Sequence, residues 1–99
     1  MKEYIFLSFA QKIQDHTGIA IEDILKKSKK SEIVLARHML FYLCSFKRGM
    51  SMTEIEGYMN KNGYRIGYNA ISYGIDTMVK LLETDPDYIV LVEKLSSID

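Results

Sequence analysis

Two groups of side chains in this sequence have the types and spacing to do chemistry. The first is a set of cations, Lys26, Lys27, Lys29 and Lys30 in one short stretch, with Arg37 and Arg65 further along. Ammonium and guanidinium groups donate hydrogen bonds and carry charge but accept nothing, so their work is to neutralise anions, phosphates above all. The second is Tyr68, Asn69, Ser72 and Tyr73, which lie within six residues and offer hydrogen-bond donors and acceptors at helical spacing. Catalytic chemistry has no comparable pattern. No paired carboxylates, nucleophile–base set or metal cluster has motif-level support. His16 and His38 stand apart and fit structural roles, and Cys44 is the one cysteine, which rules out an internal disulfide or a thiolate zinc site. The expectation is a non-enzyme with no cofactor, no metal and no small-molecule substrate.

The elements that must position these groups follow from periodicity. Phe6, Phe9, Ala10 and Ile13 recur on one helical face and Gly18 follows, giving a first helix over Lys2 to Thr17. A short second helix, Ile21 to Lys27, has Glu22 and Asp23 in its first turn and Lys26 and Lys27 in its last, as the helix dipole favours. Its apolar anchors are Ile21, Ile24 and Leu25. After the polar connector Ser28 to Lys30, Ser31 can cap a third helix to about Phe46. That helix is apolar nearly all round (Val34, Leu35, Met39, Leu40, Phe41, Leu43), which marks it as the central one. Arg37 and His38 interrupt the run, so one face near its start should reach solvent or a ligand.

Ser51 with Glu54 three residues later is a capping box opening a fourth helix, with Ile55 and Met59 on one side. Asn60, Asn62, Gly63 and Gly67 then bend the chain. In the fifth helix Ile71, Ile75, Met78 and Leu82 form a regular inward stripe, leaving Asn69, Ser72, Tyr73, Asp76 and Lys80 outside. Asp85 and Pro86 are an N-cap and first-turn pair for a sixth helix to about Ser96, with Ile89, Val92 and Leu95 inward. The result is one all-α domain over residues 1–99, about six helices with no strand alternation.

Composition limits the partners. The chain has 99 residues, 26% of them charged, and a net charge of zero, which argues against a generic nucleic-acid binder. Yet the charge is uneven: residues 1–50 sum to +4, residues 51–99 to −4, and Lys26 to Arg65 to +6. A surface basic on one side and acidic on the other is expected. No apolar run approaches the ~20 residues of a membrane span. Met1 to Ala10 carries Glu3 among aromatics and does not read as a signal peptide. The expected setting is cytoplasmic, and nucleoid-associated if the chain binds DNA.

A short helix, a glycine-containing turn and a longer regular helix, over about 52–83, make a helix-turn-helix. Such a recognition helix needs an apolar rear and, near its N-terminus, side chains that can hydrogen-bond base edges in the major groove. Tyr68, Asn69, Ser72 and Tyr73 meet that description.

Ile21-Glu22-Asp23-Ile24-Leu25, the connector Lys26 to Lys30, Glu32-Ile33-Val34-Leu35-Ala36-Arg37 and Leu81-Leu82-Glu83-Thr84-Asp85 together resemble the C-terminal DNA-binding domain of the bacterial replication initiator DnaA. The resemblance spans about Phe6 to Leu95. It implies a six-helix, Trp-repressor-like bundle binding double-stranded DNA, and a role as a replication- or transcription-related regulator. It also implies that Lys26 to Lys30 are the basic loop contacting phosphates and that Arg37 is the arginine reaching into the minor groove. The family opens its recognition helix with Arg-Asp-His-Ser/Thr-Thr, whereas an ungapped alignment puts Ile66-Gly67-Tyr68-Asn69-Ala70 there; Arg65 takes the arginine's place if one residue is inserted. No GxxxxGK[ST] phosphate loop is present, so the sequence carries no ATPase module.

Each of these features also has a plainer explanation. Lys26 to Lys30 can be a solvated loop, Arg37 can pair with Glu32 or a helix C-terminus, and Tyr68 and Tyr73 can be surface aromatics. The six methionines fit as core fillers. Asp76, two turns into the recognition helix, repels phosphate unless it meets a cytosine amino group or lies beyond the groove. The rival function is a protein-interaction module on the same fold that has lost DNA binding and holds a protein partner through its acidic half or its tyrosines. One continuous basic face joining Lys29, Arg37 and Arg65 would favour DNA; scattered cations would favour the rival.

Overall fold

A computed structural model describes residues 2–97; the outer bounds of the expected 1–99 domain lie outside them. The described chain is all helical: α1 (Lys2–Thr17), α2 (Ile21–Ile24), α3 (Ser31–Tyr42), a π-helical turn (Leu43–Lys47), α4 (Met52–Lys61), α5 (Tyr68–Thr84) and α6 (Pro86–Leu95). The periodic stripes become the core. Phe6, Phe9, Ala10 and Ile13 of α1 are buried, as are Met39, Leu40 and Phe41 of α3 and Ile71, Ile75 and Met78 of α5. The central α3 packs most extensively on α5, and α5 also packs on α4 and α6.

Local signals decide most of the element ends. The Ser51 hydroxyl accepts from the Glu54 amide at 3.1 Å and the Glu54 carboxylate accepts from the Ser51 amide at 3.0 Å, so the capping box is complete. At the other end of α4, Gly63 takes φ +100°. Its amide bonds Asn60 O, and the Tyr64 amide reaches back to Met59 O at 2.9 Å. That pair of bonds is a Schellman closure, which a left-handed residue such as glycine permits. Asp85 caps α6 by accepting from the Asp87 amide, with Pro86 in the first turn.

Four local expectations need correction. α2 stops at Ile24, with Leu25 as its cap, so Lys26 and Lys27 belong to the loop. The Lys26 amide turns to Asp23 O at 3.3 Å rather than continuing the ladder, and Arg37 of α3 occupies carbonyls that the helix end leaves open, Nε donating to Ile24 O at 2.8 Å and Nη2 to Lys26 O at 2.5 Å. The Lys30 amide bonds the Ser28 hydroxyl instead. Ser31 is the first residue of α3; the N-cap is Lys30, with no side-chain cap. The third helix changes pitch at Leu43. Ile89 is 48% exposed, because α6 docks through Val92 and Leu95 and its first turns leave Ile89 at the rim of a depression shared with Phe46 and Leu82.

Candidate nucleic-acid interface

The α2–α3 loop and the α4–α5 turn lie side by side in the fold. A groove of about 1030 Å³ runs between them, lined by Lys26, Lys27 and the acidic Glu22 from the α2 side and by Asn62, Tyr64 and Arg65 from the turn. Two regions that are well separated in sequence thus present cations to one channel. Lys26, Lys27, Lys29, Lys30 and Arg65 are all exposed. Among the described residues the ion pairs are Lys2 with Glu54, Lys47 with Glu93 and Lys61 with Glu3. None of these five cations is in one, so their charge is free to face an anion. Lys30 is set apart from the groove: it lines a smaller depression with Asp23 and Glu32.

Arg37 does not extend from this surface. It is 4% exposed, with its guanidinium 4.8 Å from the centroid of the Tyr64 ring and two of its N–H groups on the carbonyls of Ile24, the last residue of α2, and of Lys26 in the loop. The expected outward face at this position is therefore absent, and the expected reach into a minor groove gives way to an inward role. The partner is a helix C-terminus, where unpaired carbonyls carry partial negative charge. Burial lowers its pKa and the neighbouring Tyr64 raises it; a guanidinium stays protonated in either case. The single basic face expected to join Lys29, Arg37 and Arg65 therefore does not form in that combination: Arg37 is buried, Lys29 does not line the groove, and the cations that share it are Lys26, Lys27 and Arg65.

On α5, Gly67 is the N-cap and the helix begins at Tyr68. Tyr68 and Tyr73 are 50% and 68% exposed. Asn69 and Asp76 are exposed and Ser72 is half-buried. These side chains share the solvent-facing side of the helix while Ile71, Gly74, Ile75 and Met78 are buried. His38 of α3 lies beneath α5. Its ring meets Tyr73 edge-on at 6.0 Å between centroids, and a Cβ built on Gly74 would fall 2.5 Å from His38 Cδ2. Burial, and then the charge of Arg37, lower the His38 pKa, so the ring is neutral at pH 7.

Three contributors escaped the sequence argument. Tyr64 and Asn62 sit in the turn as ordinary polar residues, and only the fold brings them opposite the loop. Gly74 did carry a signal, since a glycine inside a helix costs about 1 kcal/mol against alanine and needs a packing reason. No group of three or more His, Cys, Asp or Glu side chains that could hold a metal occurs among the described residues. Among them, too, no helix is long and apolar enough to cross a membrane. Cys44 is buried and its thiol is pushed up to about 12, which leaves it unreactive at neutral pH.

An all-helical domain with a short helix, a tight turn and a longer amphipathic helix, flanked by a cationic loop, is a helix-turn-helix domain. The family described as "Bacterial dnaA protein helix-turn-helix" matches residues 9–62, and the chain belongs to it. No curated protein and no solved structure matches the chain. The matched stretch runs from within α1 through the loop, Arg37 and α4, and ends at Asn62, ahead of α5.

Proposed function

We propose that this domain binds duplex DNA, gripping phosphates with Lys26, Lys27, Lys29, Lys30 and Arg65 and presenting Tyr68, Asn69, Ser72 and Tyr73 to the major groove. The observation that carries this reading is the shared groove, in which loop and turn cations without ion-pair partners face one channel. Membership in a DnaA helix-turn-helix family supports it. Phosphate contacts supply affinity that falls with salt, and the α5 face supplies sequence preference. Such a domain suits a regulator or a competitor at DNA sites.

The test is fluorescence anisotropy of labelled duplexes, one random and one carrying a family-type initiator box, at two salt concentrations. Binding should weaken with salt by a log–log slope of about 0.9 per phosphate contact. Charge reversal at Lys26 and Lys27 should weaken all sequences alike, and more than reversal at Lys29 and Lys30, because the first pair lines the groove. Asn69→Ala should chiefly relax sequence preference. No binding by the unmodified protein at low salt would sink the proposal.

A further inference from the structure

We infer that Arg37 is a positioning residue of the interface, a buried strut that ties the Lys26–Lys30 loop to the α4–α5 turn so that the two walls of the groove act on one run of phosphates. The inference rests on the DNA-binding reading for its functional consequence, but its structural half stands independently. One planar group makes three separate restraints. Nε holds Ile24 O at 2.8 Å, Nη2 holds Lys26 O at 2.5 Å, and the guanidinium carbon lies over the Tyr64 ring, 4.8 Å from its centroid. The first two hold the end of α2 and the start of the loop; the third holds Tyr64, whose amide completes the Schellman closure of α4. Lys26 and Tyr64 then appear on opposite sides of the same groove.

The geometry requires a guanidinium. A lysine carries the charge but has neither the fixed fork that serves two carbonyls nor the flat face that stacks on an aromatic ring. Removing the fork leaves two carbonyls to find water and frees the loop from the turn. Loop cations that move independently of Arg65 lose the entropic advantage of a preorganised site, so fewer of them meet phosphates at once.

Arg37→Lys tests the strut because it preserves net charge. The measurements are far-UV circular dichroism for the fold, amide hydrogen exchange across residues 24–30 and 62–66, and the salt slope of binding to a random duplex. The expected result is a folded variant whose amides exchange faster in both the loop and the turn. Its salt slope should be shallower by about 2, equivalent to roughly two phosphate contacts at about 0.9 each. Exchange that accelerates only in residues 24–30, or an unchanged slope, would overturn the inference. Should Arg37→Lys fail to fold, Tyr64→Leu cuts the strut from the other side, and there a protected turn or an unchanged slope would overturn it. The exchange readout needs no DNA: if the unmodified protein binds none, the DNA-binding reading fails, while coupled exchange still supports the strut and uncoupled exchange still overturns it.

Discussion

Gly74→Ala measures how closely α5 is seated on α3. An ideal Cβ at Gly74 would lie 2.5 Å from His38 Cδ2 and 3.2 Å from both Cγ and Nε2. Carbon atoms in contact settle at roughly 3.5–4.0 Å, so the imidazole or the helix must move by about 1 Å. Two effects compete. Alanine gains about 1 kcal/mol over glycine in a helix interior, and overpacking a filled site costs about 1–3 kcal/mol. With His38 boxed between Gly74 and the edge-on Tyr73 ring, the cost should win by about 1 kcal/mol. For a domain of this size that lowers Tm by about 4–8 °C.

The same substitution in a His38→Ala background meets no ring, so only the propensity gain of about 1 kcal/mol remains. The coupling between the two positions is then about 2 kcal/mol, well above the ~0.5 kcal/mol expected of independent sites. Urea or thermal unfolding of the four proteins in the cycle supplies the number. A Gly74→Ala effect of the same sign and size in both backgrounds would refute the reasoning, because it would show that the His38 ring yields at no cost.

Two further outcomes follow from the same structure. Ser51→Ala removes one half of the α4 capping box and should cost about 1 kcal/mol in chemical denaturation, with a loss under 0.3 kcal/mol counting against a role for the box. His38 has a folded pKa below its ordinary 6.5, so as pH falls through 6.5 the unfolded state takes up the proton first. Stability therefore drops from its full value above 6.5 toward the lower folded pKa. His38→Gln should remove that part of the loss between pH 7.5 and 5.5, and an unchanged pH dependence would discount the histidine.

What the sequence made legible was local. Ser51 with Glu54, Asp85 with Pro86, and the stripes through Phe6–Ile13 and Ile71–Met78 act within a few turns of chain, and each element stands where its pattern places it. At Arg37 and at the groove, where the pattern misled, the deciding contacts come from a distance. The charge pattern of Glu22 to Lys27 fits a helix to Lys27, but the Lys26 amide turns to Asp23 O and Arg37, thirteen residues from Ile24, occupies the carbonyl left open there. Arg37 itself looked like a cation needing an outlet. On a helix apolar nearly all round, its neighbours told as much for burial, but only the partners, two carbonyls and Tyr64, decide it. The groove was half legible: the loop cations announce themselves, while Asn62 and Tyr64 gain meaning only from being opposite them.

The family match divides the interface in the same way. It covers the loop, Arg37 and α4 but ends at Asn62, before every α5 residue assigned to base contact. Grip and readout thus rest on different support, and Asp76 is where they can be separated. It is exposed one turn beyond Ser72 on the solvent side of α5, and a carboxylate there lowers the local potential that loop and turn cations raise. If α5 is seated in the groove without a cytosine contact at Asp76, Asp76→Asn should tighten binding a few-fold for random and box duplexes alike, most at low salt. A carboxylate accepting from a cytosine amino group predicts the opposite: weaker binding confined to one sequence, by about 1–3 kcal/mol. We expect the first outcome; a sequence-confined loss in the anisotropy titration would refute this and make Asp76 a base-reading residue.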